Sequence, residues 1–184
     1  MAQNDQTAEF LNNHPLLNRN RIAEFKKKIN FDQKIAIEEK TKFVKKNWQT
    51  LLKSPSLIDW KIVDVSNEVS PAGRTKGFRD FNFQLSQNDQ VIFIKITDAI
   101  NPDSAQDAFL RKLNETSMPE IFQKSTAELI GTVSVEDSSP TQKTQNYMWV
   151  YKNILFEVSS KNVSSLLTQV KDIQKYAENS LTAR

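Results

Sequence analysis

Apolar residues recur at spacings of three and four in the first third of the chain and near its end, which predicts amphipathic helices there. One helix is predicted over residues 18–29, and a longer one from Asp32 to about Ser54, where Pro55 disfavours helical geometry in the residue before it. A last helix is expected to begin at Ser159 or Ser160. Its apolar stripe consists of Val163, Leu166, Leu167, Val170, Ile173, Tyr176 and Ala177.

Between these helices the apolar period changes to two, which predicts strands. A bulged strand is predicted from Leu57 to Val65, because the alternation shifts phase at Val63. Strands over residues 81–85 and 91–97 then form a hairpin with a five-residue polar turn, Ser86 to Gln90.

A helix and two or three further strands follow the hairpin. The run Asn101-Pro102-Asp103-Ser104 predicts the start of the helix, and Ser104 with Asp107 resembles a capping box. Strand pattern returns over residues 129–135, and a polar insert, Glu136 to Gln145, separates it from residues 147–158. Those last residues form either two strands that turn at Lys152-Asn153 or one long strand.

The links between the predicted strands are short, which favours a mainly antiparallel sheet. We therefore expect a two-layer α+β fold in which five to six strands are packed by helices, with an N-terminal helical segment. The sequence of strand, polar loop and helix that begins at Val91 recurs from Ile154, which suggests the hypothesis of a duplicated hairpin-and-helix unit.

Charge is spread unevenly along the 184 residues. Residues 1–56 hold 11 Lys and Arg against 6 Asp and Glu, whereas residues 57–184 hold 14 against 16, so the net charge of +3 combines +5 with −2. We interpret residues 1–56 as a basic N-terminal helical segment and residues 57–184 as an α+β domain, expected to form one structural unit with the helices.

The composition excludes several classes of chemistry. The absence of Cys excludes cysteine nucleophiles, thiolate metal sites and disulfides. The single His, His14, excludes any site that needs two imidazoles, and the 3 Gly lie too far apart for a Rossmann or P-loop phosphate cradle. We expect a protein that is not an enzyme and that holds neither a cofactor nor a metal.

Eight of the 11 cations of the N-terminal segment are candidates for binding an anionic surface, either nucleic acid or a membrane. They are Arg19, Arg21, Lys26, Lys27, Lys28, Lys42, Lys45 and Lys46. The ordinary solvated face of an amphipathic helix explains the same pattern, and Glu24, Glu38 and Glu39 interrupt it.

Three aromatic residues, Tyr147, Trp149 and Tyr151, share one face of a predicted strand and are called the aromatic row below. The residues between them are also apolar, so the strand should be covered on both faces. The cover is either the protein's own N-terminal segment, through Trp48, or a ligand or partner.

The first ten residues have neither the basic start nor the apolar run of a signal peptide. The chain is then either a cytoplasmic protein or a mature periplasmic or secreted one, and its lack of Cys and its many Asn, Gln, Ser and Thr residues favour export.

The predicted order of elements is similar to that of the small α/β chaperones of type III secretion, and to the sandwich shared by nuclear-transport accessory and photosystem extrinsic subunits. This resemblance implies a fold and not a function. The sequence pI near 9.0 departs from the acidic character of secretion chaperones.

Our leading hypothesis is a non-enzymatic binding or accessory protein that holds a protein partner, a second copy or a ligand through its sheet and the aromatic row. The alternatives are an anion-surface binder that uses the basic helices, a small secretion-chaperone-like protein, and a hydrolase that uses carboxylates alone.

Overall fold

The computed structural model describes residues 23, 27, 42–44, 47–68, 79–99, 101–115, 130–139, 141, 143–179 and 181–183. The strands are β1 (Lys42–Val44), β2 (Lys61–Glu68), β3 (Arg79–Gln87), β4 (Gln90–Asp98), β5 (Val133–Ser139), β6 (Thr144–Tyr151), β7 (Ile154–Lys161) and β8 (Leu181–Ala183). The helices are a 3₁₀ helix (Trp48–Lys53), α1 (Pro102–Glu115) and α2 (Leu167–Glu178).

Strands β2 to β7 form one sheet of six strands in the order β2-β3-β4-β7-β6-β5, and every neighbouring pair is antiparallel. The predicted α+β class, with a mainly antiparallel sheet packed by helices, is confirmed. Each half contributes three consecutive strands and then a helix, and β4 meets β7 at the centre of the sheet. The duplication itself stays a prediction.

The two faces of the sheet are covered differently. On one face, called the core face, the 3₁₀ helix and α2 cover the inward residues of β3, β4, β6 and β7, and residues such as Leu51, Ile94 and Val170 are fully buried. On the other, called the open face, α1 packs through Phe109 and other apolar residues onto Leu155. Helix α1 contacts mainly β6 and β7, which leaves part of the open face uncovered by the described helices.

The helix predicted from Asp32 to Ser54 is wrong in its described part. Residues 42–44 form β1, which pairs antiparallel with β8, and the helical turn that follows is a short 3₁₀ helix. A pairing between residues 42–44 and 181–183 leaves no local pattern, so periodicity could not reveal it. The helix ends at Ser54 as expected, where the Ser54 N–H donates to the Leu51 carbonyl.

In the helix predicted over residues 18–29, Ala23 and Lys27 are described and both are helical. The remaining residues of that helix, and residues 32–41 of the next, lie outside the described residues.

The turns between β3 and β4 and between β6 and β7 have two residues each. The turn between β3 and β4 is Asn88-Asp89, because Gln87 pairs with Gln90, so the predicted five-residue turn is wrong. Asn88 adopts a φ of 55°, a left-handed conformation that Asn tolerates better than most residues. The turn at Lys152-Asn153 is confirmed, and the alternative of one long strand is wrong.

The predicted bulge in β2 is confirmed. Ile62 pairs with Leu85 and Asp64 pairs with Gln84, so Val63 is the extra residue. The strand starts later than expected, because the residues before Lys61 form turns.

Three other boundaries differ from their predictions. Asn101, not Ser104, caps α1, since its side-chain oxygen accepts from the Ser104 N–H at 2.8 Å. Strand β7 continues through Ser159 and Ser160, so α2 begins only at Leu167. Strand β5 occupies residues 133–139 and therefore includes four of the ten residues of the predicted polar insert.

Candidate binding groove

The aromatic row lies on the core face. Tyr147 and Trp149 are buried, with 5% and 0% of their surface exposed, and Tyr151 is half-buried. The Trp149 ring stacks on Phe156 with 4.8 Å between centroids, and its Nε1 donates to Oε1 of Gln174 in α2 at 2.9 Å. A ligand could reach Trp149 only by displacing α2.

Trp48 belongs to the same core and is fully buried. Its ring meets Phe156 edge-on at 5.7 Å and lies 6.0 Å from the ring of Tyr176. Trp48 and Trp149 therefore flank the same Phe156, and the protein's own 3₁₀ helix forms part of the cover over this face.

Two of the predicted anion-binding residues are described: Lys27, which is helical and exposed, and Lys42, which lies in β1. The other predicted anion-binding residues lie outside the described residues: Arg19, Arg21, Lys26, Lys28, Lys45 and Lys46. Anion binding by this segment stays a prediction.

A groove of about 500 Å³ lies on the open face of the sheet. Its floor contains two rows of side chains that run across the strands, because residues paired across antiparallel strands point to the same face. The first row is Asp64, Gln84, Phe93, Ser159 and Asn146, and the second is Asn82, Lys95, Glu157, Met148 and Val135. With neighbouring strands about 4.8 Å apart, six strands span about 24 Å.

Phe93 stands in the middle of this floor and is 44% exposed. It belongs to β4, one of the two central strands, whose neighbouring residues Ile92 and Ile94 are buried on the core face. Where one face of an antiparallel sheet is open to solvent, the side chains on that face are normally polar. An exposed phenyl ring here marks a surface that suits an apolar ligand group.

Two opposite charges face each other in the second row, since Lys95 and Glu157 are directly paired across β4 and β7. Each also has another partner. Lys95 Nζ lies 3.2 Å from the Asp80 carboxylate, and Lys112 Nζ of α1 lies 3.5 Å from Oε2 of Glu157. The groove therefore lies next to α1, and Lys112 connects that helix to its floor.

The second carboxylate oxygen of Glu157, Oε1, is buried and accepts no hydrogen bond. A buried acceptor that stays unsatisfied costs about 1–3 kcal/mol. A ligand N–H group reaches this oxygen only when the Glu157 side chain, which is 26% exposed, turns it towards the groove. The hydrogen bond then recovers that free energy, and a cationic N–H group recovers more.

Two other groups have shifted pKa values. Burial raises the pKa of Asp98, at the end of β4, to about 6, although Arg79 and a hydrogen bond from Asn153 oppose the shift. Burial also raises the pKa of Tyr147 above its ordinary value, and Glu136 adds to this shift. Asp98 does not line the groove.

Sequence reasoning selected the aromatic row, of whose three residues only Tyr147 lines the groove, and missed the other residues of the lining. The missed signal is a charged residue inside each of the two central, strongly apolar strands, Lys95 in β4 and Glu157 in β7. Charges at such positions are expensive unless they are paired or functional. Only the tertiary structure shows that Lys95 and Glu157 lie directly opposite each other.

No three His, Cys, Asp or Glu side chains among the described residues come together as a metal site requires. No described helix is long and apolar enough to cross a membrane. Comparisons with known proteins find no family model, no curated protein and no solved structure that matches this chain. The groove is therefore the main basis for inferring a function.

Proposed function

We propose that the protein is a non-enzymatic binding protein that holds a segment of a protein partner in the groove on its open face. The observation that carries this proposal is an exposed Phe93 on a central strand, with the unsatisfied Oε1 of Glu157 on the neighbouring strand. Diagonal neighbours on adjacent strands lie about 7–8 Å apart, so one peptide segment reaches both.

The lining defines the chemistry of the partner. Phe93 and Met148 offer an aromatic and a thioether surface for an apolar side chain. Lys95 is paired with Asp80, and Glu157 with Lys112, so the charged side chains of the lining and their ion-pair partners have a net charge of −1, which Asp64 contributes. The groove therefore favours a segment in which an aromatic or aliphatic residue neighbours Lys or Arg.

Selection from a library of displayed random peptides on the full chain tests this proposal. We expect the selected peptides to carry an apolar residue next to a basic one. Affinities are then measured by fluorescence anisotropy. Phe93→Ser should weaken binding at least tenfold through the lost apolar contact, and Glu157→Gln about tenfold through the lost charge-assisted hydrogen bond.

Ile58→Ser is the matched control, because Ile58 is 61% exposed but does not line the groove. It should bind the selected peptides as the wild type does. Peptides that bind Phe93→Ser as tightly as the wild type, or selected peptides rich in acidic residues, would contradict the proposed function.

A further inference from the structure

Strand β2 forms one edge of the six-stranded sheet, and no other described strand pairs with its outer side. The edge is long and carries three exposed apolar side chains beside three exposed charged ones. It has eight residues, of which Ile62, Val63 and Val65 are 51%, 51% and 38% exposed. Edge strands normally avoid such exposure, because unpaired backbone groups beside apolar side chains are a template for another strand.

We propose that two copies of the chain pair antiparallel through β2, about a two-fold axis that passes between the two Val65 residues. The pairing joins two six-stranded sheets into one continuous sheet. The proposal rests on the edge and its charges. Asp64 belongs to both this edge and the lining of the peptide groove, whereas Lys61 and Glu68, which the experiment changes, do not line the groove.

The symmetry restricts which residues can lie opposite each other. A two-fold axis between antiparallel edge strands stands perpendicular to the sheet, so residues on the same face must pair. Lys61, Asp64, Ser66 and Glu68 share the open face, since they pair with Ser86, Gln84, Asn82 and Asp80 of β3. The extra residue of the bulge, Val63, is what brings Lys61 to the same face as Glu68.

In the register that places Val65 opposite Val65 of the second copy, the charged and polar side chains of the two strands are complementary. Asp64 then lies opposite Ser66 of the second copy, and Lys61 lies opposite Glu68 of the second copy. The axis repeats each pair, so the dimer gains two carboxylate–hydroxyl contacts and two ion pairs.

The neighbouring registers are unfavourable. A shift by two residues in one direction places Asp64 opposite its own copy, and a shift in the other direction places Asp64 opposite Glu68. Like charges directly opposite each other destabilise a strand pair. The charge pattern of β2 therefore selects the register centred on Val65. A strand of another protein would not be expected to carry a charge pattern that matches β2 in this way.

Sedimentation equilibrium of the full chain, as a function of concentration, tests the dimer. Lys61→Glu and Glu68→Lys each turn two ion pairs into two repulsions, and we expect each to weaken dimerisation about tenfold. The double variant restores both pairs in exchanged positions and should recover the wild-type dissociation constant within about threefold.

Lys175→Glu is the control for net charge, because Lys175 is exposed on α2, away from the edge. It should dimerise as the wild type does, and circular dichroism verifies that every variant is folded. A wild type that stays monomeric up to about 1 mM overturns the proposal. A dimer that neither single reversal weakens, or that the double reversal does not restore, also overturns it.

Discussion

The carboxyl group of Asp98 lies at the end of β4, where burial disfavours its charge and raises its pKa to about 6. The side-chain amide of Asn153 donates a hydrogen bond to Oδ1 of Asp98 at 3.0 Å. Asn153 also donates to the Ala99 carbonyl at 3.2 Å, and Ala99 N–H returns a bond to the Asn153 carbonyl at 2.9 Å. The turn between β6 and β7 is thereby attached to the end of β4.

Asp98→Asn should change how stability depends on pH. The folded chain holds the Asp98 proton up to about pH 6 and the unfolded chain only up to about pH 4, so the stability of the wild type falls as the pH rises through this window. Asn keeps the bond from Asn153 without the charge. We expect the variant to match the wild type near pH 4 and to exceed it by about 2 kcal/mol at pH 7, after allowance for partial exposure.

Urea denaturation at both pH values measures this difference in unfolding free energy. Asp89→Asn, in the exposed turn between β3 and β4, is the control and should show the same difference from the wild type at both values. A pH-independent effect of Asp98→Asn would contradict the assigned pKa.

The backbone conformations of single residues were not predicted from the sequence, although the residue type explains some of them. The left-handed Asn88 in a two-residue turn accords with the preference of Asn for that region. Lys152 adopts a similar φ of 55°, which Lys does not favour. The hydrogen bonds of Asn153 to the end of β4 hold this turn, and they exist only after the sheet has formed.

Among the elements, the 3₁₀ helix depends most on packing. Six residues of 3₁₀ helix are marginal alone, and contacts with α2 stabilise this one. The hydroxyl of Tyr176 bonds the Thr50 hydroxyl, and the Ser56 N–H donates to the Asp172 carboxylate at 3.1 Å. Trp48, the first residue of the same 3₁₀ helix, is part of the hydrophobic core.

Trp48→Ala should destabilise the fold by about 3–5 kcal/mol, because it leaves a cavity under the helix. Trp48→Phe should cost much less, because the indole Nε1 is buried without a hydrogen-bond partner and its loss removes an unsatisfied donor. Urea denaturation followed by circular dichroism gives both values. Gln49→Ala, an exposed position of the same helix, is the control and should stay within about 0.5 kcal/mol of the wild type. Equal losses for Trp48→Ala and Gln49→Ala would show that the helix does not contribute to the core.

The period and length of the apolar pattern predicted the existence of most helices and strands. The predicted boundaries were wrong where long-range contacts decide where an element ends. Strand β5 extends through Glu136 and its polar neighbours because β6 pairs with it from Val133↔Val150 to Ser139↔Thr144. An edge strand tolerates polar residues, so composition alone suggested a loop. Strand β7 likewise continues to Lys161 because its residues pair with both β4 and β6.

On the scale of the whole molecule, the pair formed by β1 and β8 is separate from the six-stranded sheet. Deleting residues 180–184 removes β8, and we expect a loss of less than about 1 kcal/mol, since two strands of three residues are marginally stable. Ending the chain at residue 166 instead removes α2 and its buried Val170, Ile173 and Ala177, and should abolish cooperative unfolding. Urea denaturation compares the two truncations. A large loss for the shorter deletion would mean that the β1–β8 pair is part of the main cooperative unit.

The sequence by itself determined the α+β class, the antiparallel hairpins, the bulge in β2 and the uneven charge, because periodicity, turn lengths and charge counts are local properties. Only the tertiary structure decided which face of each strand is covered. A period of two separates the faces of a strand but does not say where a helix will lie. The covered face buries Trp149, whereas the open face exposes Phe93 beside Glu157, and that difference moved the candidate site from the aromatic row to the groove.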